Sequence, residues 1–97
     1  MKEARQYYVY ILASKRNGTL YIGVTSNLAD RVDKHRKGIY DGFTKKYKVD
    51  KLIYYEVYGD VYAAISREKQ LKDWKRNWKI ELMEKDNSAW RDLFNKI

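Results

Sequence analysis

The sequence predicts a mixed α/β (α+β) fold: a three-stranded, mostly antiparallel sheet with helices packed against it, in the order ββαβα plus C-terminal helices. Two observations carry this. Segments 6–13, 19–24 and 51–58 are rich in aromatic and β-branched residues, the composition of strands. The stretches 28–37 and 61 onward instead repeat apolar residues at helical spacing. With 97 residues and no proline, repeat or low-complexity linker, the chain suits one domain spanning 1–97.

Residues 6–13 are apolar on both parities, which predicts a strand covered on both faces. Asn17-Gly18 is a strong turn signal, so 19–24 is the returning arm of a hairpin. Thr25-Ser26-Asn27 offers helix caps, and a helix from about Leu28 to Lys37 should stop at Gly38. Its inward stripe is Leu28, Val32, His35 and Ile39. Residues 39–50 read as a basic loop, and 51–58 as the third strand. Asp60 caps a long helix that reaches the mid-70s or beyond, with a break near Asn77 allowed. Residues 79–85 look helical, Asn87-Ser88 turns, and 89–95 makes a last short helix.

Composition narrows the chemistry. There is no cysteine and a single histidine, so neither disulfides nor an ordinary zinc site is expected. Residues 1–6 hold no apolar signal segment, and no apolar run approaches the roughly 18–20 residues that span a membrane. The expectation is a cytoplasmic protein without a membrane partner. Net charge is +8 and clustered: residues 31–51 carry +5 and 67–79 carry +4, whereas 80–97 is slightly acidic. Such basic segments fit a phosphate-bearing partner, or equally a well-solvated surface.

Three groups of residues could carry chemistry. A four-residue loop at 15–18 sets Tyr10 opposite Gly23 and Leu12 opposite Tyr21, so Tyr10 and Tyr21 become diagonal neighbours on one face. They are either core aromatics or part of a site, and Gly23 should leave open space beside the Tyr10 ring. Arg31, one turn before His35, stands at the edge of the inward stripe. The alternatives there are a cation reaching into a cleft, or a surface arginine beside a satisfied core histidine. Glu68 falls within the stripe Ala64, Leu71, Trp78 and Leu82. A carboxylate so placed needs an ion-pair partner, Arg67 or Lys72, or a hard cation completed by water and phosphate. No P-loop, Gly-rich dinucleotide turn or Ser-His-Asp set competes.

In this order the residues resemble the GIY-YIG nuclease superfamily. It includes homing endonucleases, the incision subunit of bacterial excision repair and compact single-domain bacterial endonucleases. Tyr8-Val9-Tyr10 stands for the first motif, with Tyr8 in place of its glycine, and Tyr21-Ile22-Gly23 is the second motif intact. Arg31 and His35 fall where the family has its helix arginine and histidine, and Glu68 matches its metal-binding glutamate. Phe43-Thr44-Lys45-Lys46-Tyr47 and the run Arg67 to Trp74 resemble the compact branch. Asn87 is the preferred match for a further family asparagine, with Asn77 second.

The resemblance implies phosphodiester hydrolysis with one Mg²⁺ or Mn²⁺ held by Glu68. Tyr21, or Tyr10, would act as base, Arg31 would stabilise transition-state charge, and His35 would orient groups or relay a proton. DNA is the implied substrate, RNA is not excluded, and kinship to the excision-repair subunit implies DNA repair. Lys34, Lys45, Lys46, Lys48, Lys69, Lys72, Lys75 and Arg76 would grip backbone phosphates with little base readout. The protein would be a monomer or a weak homodimer. The alternatives are a non-catalytic nucleic-acid-binding module of the same fold, and a protein-interaction domain built on Trp74, Trp78 and Trp90.

Overall fold

A computed structural model describes residues 5–40 and 42–97; residues 1–4, which begin the segment read as lacking a signal, lie outside it. Strands β1 (Tyr7–Ala13), β2 (Leu20–Thr25) and β3 (Lys51–Tyr58) form one antiparallel sheet in the order β2-β1-β3. The hairpin closes as its turn residues require. Ser14 N–H donates to Thr19 O at 3.0 Å, and Asn17 takes a positive φ of 59°. Tyr10 pairs with Gly23 and Leu12 with Tyr21, the expected register.

Central strand β1 is covered on both faces, which explains its continuous apolar run. Val9, Ile11 and Ala13 pack with Ala64, Leu71 and Met83 on one side. Tyr10 and Leu12 pack with Leu28, Val32 and Val49 on the other. Helices α3 (Val61–Asp73) and α4 (Arg76–Asp86) therefore cover the first face, and α1 (Leu28–Arg36) and α2 (Phe43–Tyr47) the second.

Helix α1 begins where Asn27 Oδ1 accepts from Asp30 N–H at 3.2 Å. It ends in a Schellman turn: Gly38 has φ 68°, and Gly38 and Ile39 N–H donate to His35 and Lys34 carbonyls. This turn removes Ile39 from the stripe proposed for it, and Ile39 is 58% exposed. Asp60 caps α3 through Ala63 N–H at 2.9 Å.

Other expectations are corrected. The basic loop contains α2, a short helix that starts at Gly42 (φ 103°) and stops at left-handed Lys48. Burial of Thr44 and Val49 against the α1 side fixes it, which a reading of local charge misses. The long helix does end in the mid-70s, as expected, with its break at extended Trp74 and Lys75, close to Asn77. Arg76 opens α4 and donates to the hairpin carbonyls of Asn17 and Gly18 at 2.9 and 2.6 Å. The break also splits the stripe assigned to Glu68, leaving Trp78 48% exposed. In place of a helix over 89–95 there is only a 3-10 turn at Phe94–Lys96. The tail is instead tied to β3, with Leu93 N–H donating to Leu52 O at 2.7 Å.

Candidate active site

On the α1 face of the sheet, the hairpin and α1 bring together four of the residues singled out above. Tyr10 and Tyr21 have ring centroids 6.3 Å apart, and the His35 ring lies 5.3 Å from that of Tyr21. The phenol oxygen of Tyr10 is 3.2 Å from His35 Nε2. The Arg31 guanidinium lies over the Tyr40 ring at 5.4 Å, and its charge acts on the Tyr10 phenol. Gly23 makes this packing possible in a different way from that expected. The space beside it is filled by Tyr10, and a Cβ at that position would overlap the phenol.

Burial sets the protonation of the group. Tyr10 is 0% exposed. Loss of water raises its pKa, the neighbouring Tyr21 adds to the rise, and Arg31 pulls partly back. Tyr10 therefore keeps its proton and offers it only as a hydrogen bond. Burial first, and the Arg31 charge second, lower the pKa of His35, so its imidazole is neutral at pH 7.

Tyr21 is only half-buried and opens onto solvent. It lines a concavity of about 250 Å³ with Leu20, Ile22, Phe43, Lys72 and Lys79. A larger concavity of about 360 Å³ lies between Tyr8, Tyr55 and the start of α1, and no charged side chain lines it. The smaller one opens on edge strand β2 and is lined by two lysines.

Glu68 approaches this edge from α3. Its carboxylate is 15% exposed and pairs with Lys72 Nζ at 3.3 Å, and Lys72 is the residue that reaches the Tyr21 concavity. Arg67, the other partner considered for it, points elsewhere. Its Nε and Nη2 donate to Glu56 at 2.9 and 3.0 Å. Among the described residues, no three His, Cys, Asp or Glu side chains gather as a ligand set. The donor chemistry fits a hard cation only with one protein oxygen, the remaining ligands being water and phosphate, and with Lys72 drawn aside.

Asn87 is not brought to this group. It is buried at the opposite edge, where its Nδ2 donates to Ile53 and Arg91 carbonyls at 3.0 and 2.8 Å and its Oδ1 accepts from Arg91 N–H. Asn77 is exposed in the first turn of α4. Among the basic residues, Lys45 and Lys46 lie on α2 and Lys48 closes it, while Lys69 is exposed on α3. Lys34 pairs with Asp30 at 3.0 Å, Lys75 lies against the Trp78 ring, and Arg76 is committed to the hairpin. Trp90 does not share a surface with Trp74 and Trp78. It is buried, and its indole N–H donates to Glu84 at 2.6 Å.

Sequence reading assigned no role to Thr44, Tyr40 or Phe43. Thr44 Oγ1 meets His35 Nδ1 at 3.0 Å, Tyr40 packs on His35 at 4.8 Å, and Phe43 lies 6.4 Å from Tyr21. The signals for them are the Phe43-Thr44 run already matched to the compact branch and its position just after α1, beside Gly42.

Residues 6–81 match the GIY-YIG catalytic domain, and the chain belongs to that family. The family is of nuclease type, acts on nucleic acid and is generally metal-dependent. Its relatives here are small proteins. A UPF0213 protein of Pediococcus pentosaceus is 37% identical over 90% of both chains. One from Clostridium perfringens is 38% identical over 78% of this chain and 81% of its own. The solution structure of a UPF0213 protein from Bacillus halodurans has the same fold, with a TM-score of 0.56 and 24% identity over 90% of this chain and 92% of that one.

Proposed function

We propose that the protein is a metal-dependent DNA endonuclease, directed by backbone or structure and not by base sequence, with residues 1–97 acting as one domain. The observation that carries this is the meeting of Tyr10, Tyr21, Arg31 and His35 on one sheet face beside an open concavity. Tyr21 is the group placed to take a proton from an attacking water. It faces the concavity, whereas Tyr10 is enclosed and holds its proton. Arg31 stabilises charge on the phosphorane-like transition state. Glu68 would hold Mg²⁺ or Mn²⁺, which supplies Lewis-acid stabilisation of the leaving oxygen. Lys34, Lys45, Lys46, Lys48, Lys69 and Lys75 bind backbone phosphates. Asn87 and Arg76 serve the fold, given the hydrogen bonds that occupy them.

The non-catalytic binding module has one observation in its favour: the Lys72 ammonium already occupies the Glu68 carboxylate. A cleavage panel decides between them. Purified protein should nick DNA only with Mg²⁺ or Mn²⁺ across duplex, branched and single-stranded forms, with RNA as a parallel arm. Arg31→Ala and Glu68→Ala should each abolish nicking and keep salt-sensitive binding. Binding without cleavage of any form by the wild type would establish the module instead.

A further inference from the structure

Beside the acid–base groups lies a buried hydroxyl that the reaction above does not use, Thr44 on α2. Its Oγ1 is 3.0 Å from His35 Nδ1, while the opposite ring nitrogen, Nε2, is 3.2 Å from the phenol oxygen of Tyr10. Both His35 and Thr44 are buried, so water does not compete for these bonds. A neutral imidazole has one N–H and one lone pair. Two proton arrangements are then self-consistent at His35. Either Tyr10 donates to Nε2 and Nδ1–H donates to Thr44, or Thr44 donates to Nδ1 and Nε2–H donates to Tyr10.

Tyr10 separates them. Its hydroxyl is fully enclosed, and among the described residues His35 Nε2 is the acceptor within reach. Arg31 can offer the Tyr10 oxygen only donors. In the second arrangement the phenol proton would have no acceptor, which buried polar groups avoid. The first arrangement gives the fully enclosed Tyr10 proton its acceptor, while Thr44, which is 6% exposed, turns its own proton away from His35.

We infer that Thr44 is a positioning residue: by accepting from Nδ1–H it fixes His35 in one tautomer, which turns the Tyr10 proton toward Nε2, beside Tyr21. This role rests on the nuclease reading for its purpose but not for its detection. Thr44 acts through His35 and touches no reacting atom. The same bond joins α2 to α1, so it also sets where Phe43 stands against Tyr21.

The chain's single histidine makes the test direct. Long-range ¹H–¹⁵N correlation on imidazole-labelled protein should show the Nδ1–H tautomer in the wild type. Thr44→Val, which keeps the shape and removes the hydroxyl, should lose that preference, and Thr44→Ser should restore it. A wild type in the Nε2–H form, or a Thr44→Val protein with an unchanged tautomer, would overturn the inference. Backbone amide spectra establish that each variant is folded. In the cleavage assay, Thr44→Val should lower kcat by about 10–100-fold with KM little changed, and Thr44→Ser should recover it. Full activity in a Thr44→Val protein whose tautomer has shifted would remove the link to catalysis. Wild-type protein that shows the Nδ1–H form yet never cuts would instead count against the nuclease reading.

Discussion

Gly23 governs whether the Tyr10 ring can lie across β2, because the phenol occupies the volume of a Cβ at that position. Gly23→Ala should therefore destabilise the fold by about 1–3 kcal/mol, seen as a lower denaturant midpoint with an unchanged slope. The alanine methyl should also push Tyr10 away from His35. Tyr21 is a different case, since its ring packs on His35 and Phe43 while its oxygen is the base in the proposed reaction. Tyr21→Phe keeps the ring, so the protein should stay folded and bind nucleic acid. Its cleavage rate should fall about 10²–10⁴-fold, the ordinary contribution of a positioned proton acceptor. A Tyr21→Phe enzyme cutting at the wild-type rate would move the base elsewhere.

At the scale of elements, α3 carries Glu68, and what orients α3 is its neighbour Arg67. The Arg67 guanidinium grips Glu56 on β3 with two hydrogen bonds and lies over the Trp74 ring at 5.1 Å. Tyr54 and Tyr58 donate to the same carboxylate. Arg67→Met keeps much of the packing but leaves Glu56 without its counter-charge, and should cost about 2 kcal/mol, measurable as a fall in Tm. The clamp also gives stability a pH dependence. Burial acts to raise the Glu56 pKa, but the bonds from Arg67, Tyr54 and Tyr58 outweigh it and hold the group below its ordinary 4.5. A depressed carboxylate stabilises the fold fully above its unfolded pKa, and that contribution is lost as pH falls through the folded value. Stability should thus decline below about pH 4.5, and Glu56→Gln should make the decline shallower. Equal acid slopes in the two proteins would show that Glu56 is not the group responsible.

Across the whole molecule, the charge of +8 is distributed over both layers of helices that flank the sheet. The lysines of α2 and α3 stand on either side of edge strand β2, where the Tyr21 concavity opens. Binding should therefore weaken steeply with salt. Each of Lys46→Gln and Lys69→Gln should reduce the slope of log K against log salt by about 1 if that lysine contacts a phosphate. Titration over a range of salt concentrations measures this, and an unaltered slope removes that lysine from the footprint. The far side of the molecule closes through the tail. Asp92 takes Leu52 N–H at 3.2 Å and pairs with Arg36, so the C-terminal residues join β3 to α1. Among the described residues, no helix is long and apolar enough to cross a membrane.

The sequence alone determined the sheet, the hairpin register and the shared face of Tyr10 and Tyr21, because turn length and strand alternation are short-range properties. It also placed the starts of α1 and α3, since Asn27 and Asp60 cap within their own first turns. Tertiary structure decided which polar group meets which. Glu68 took Lys72 while Arg67 turned to Glu56, and Asn87 went to the β3 edge. Thr44, in a segment read as loop, became the partner of His35. These pairings depend on how far apart helices stand once the core has packed, and nothing in the periodicity of one helix encodes that distance. The four residues that meet on one sheet face were therefore legible from pattern and resemblance, whereas the Thr44 hydroxyl that meets His35 emerged only from the packing of α2 on α1.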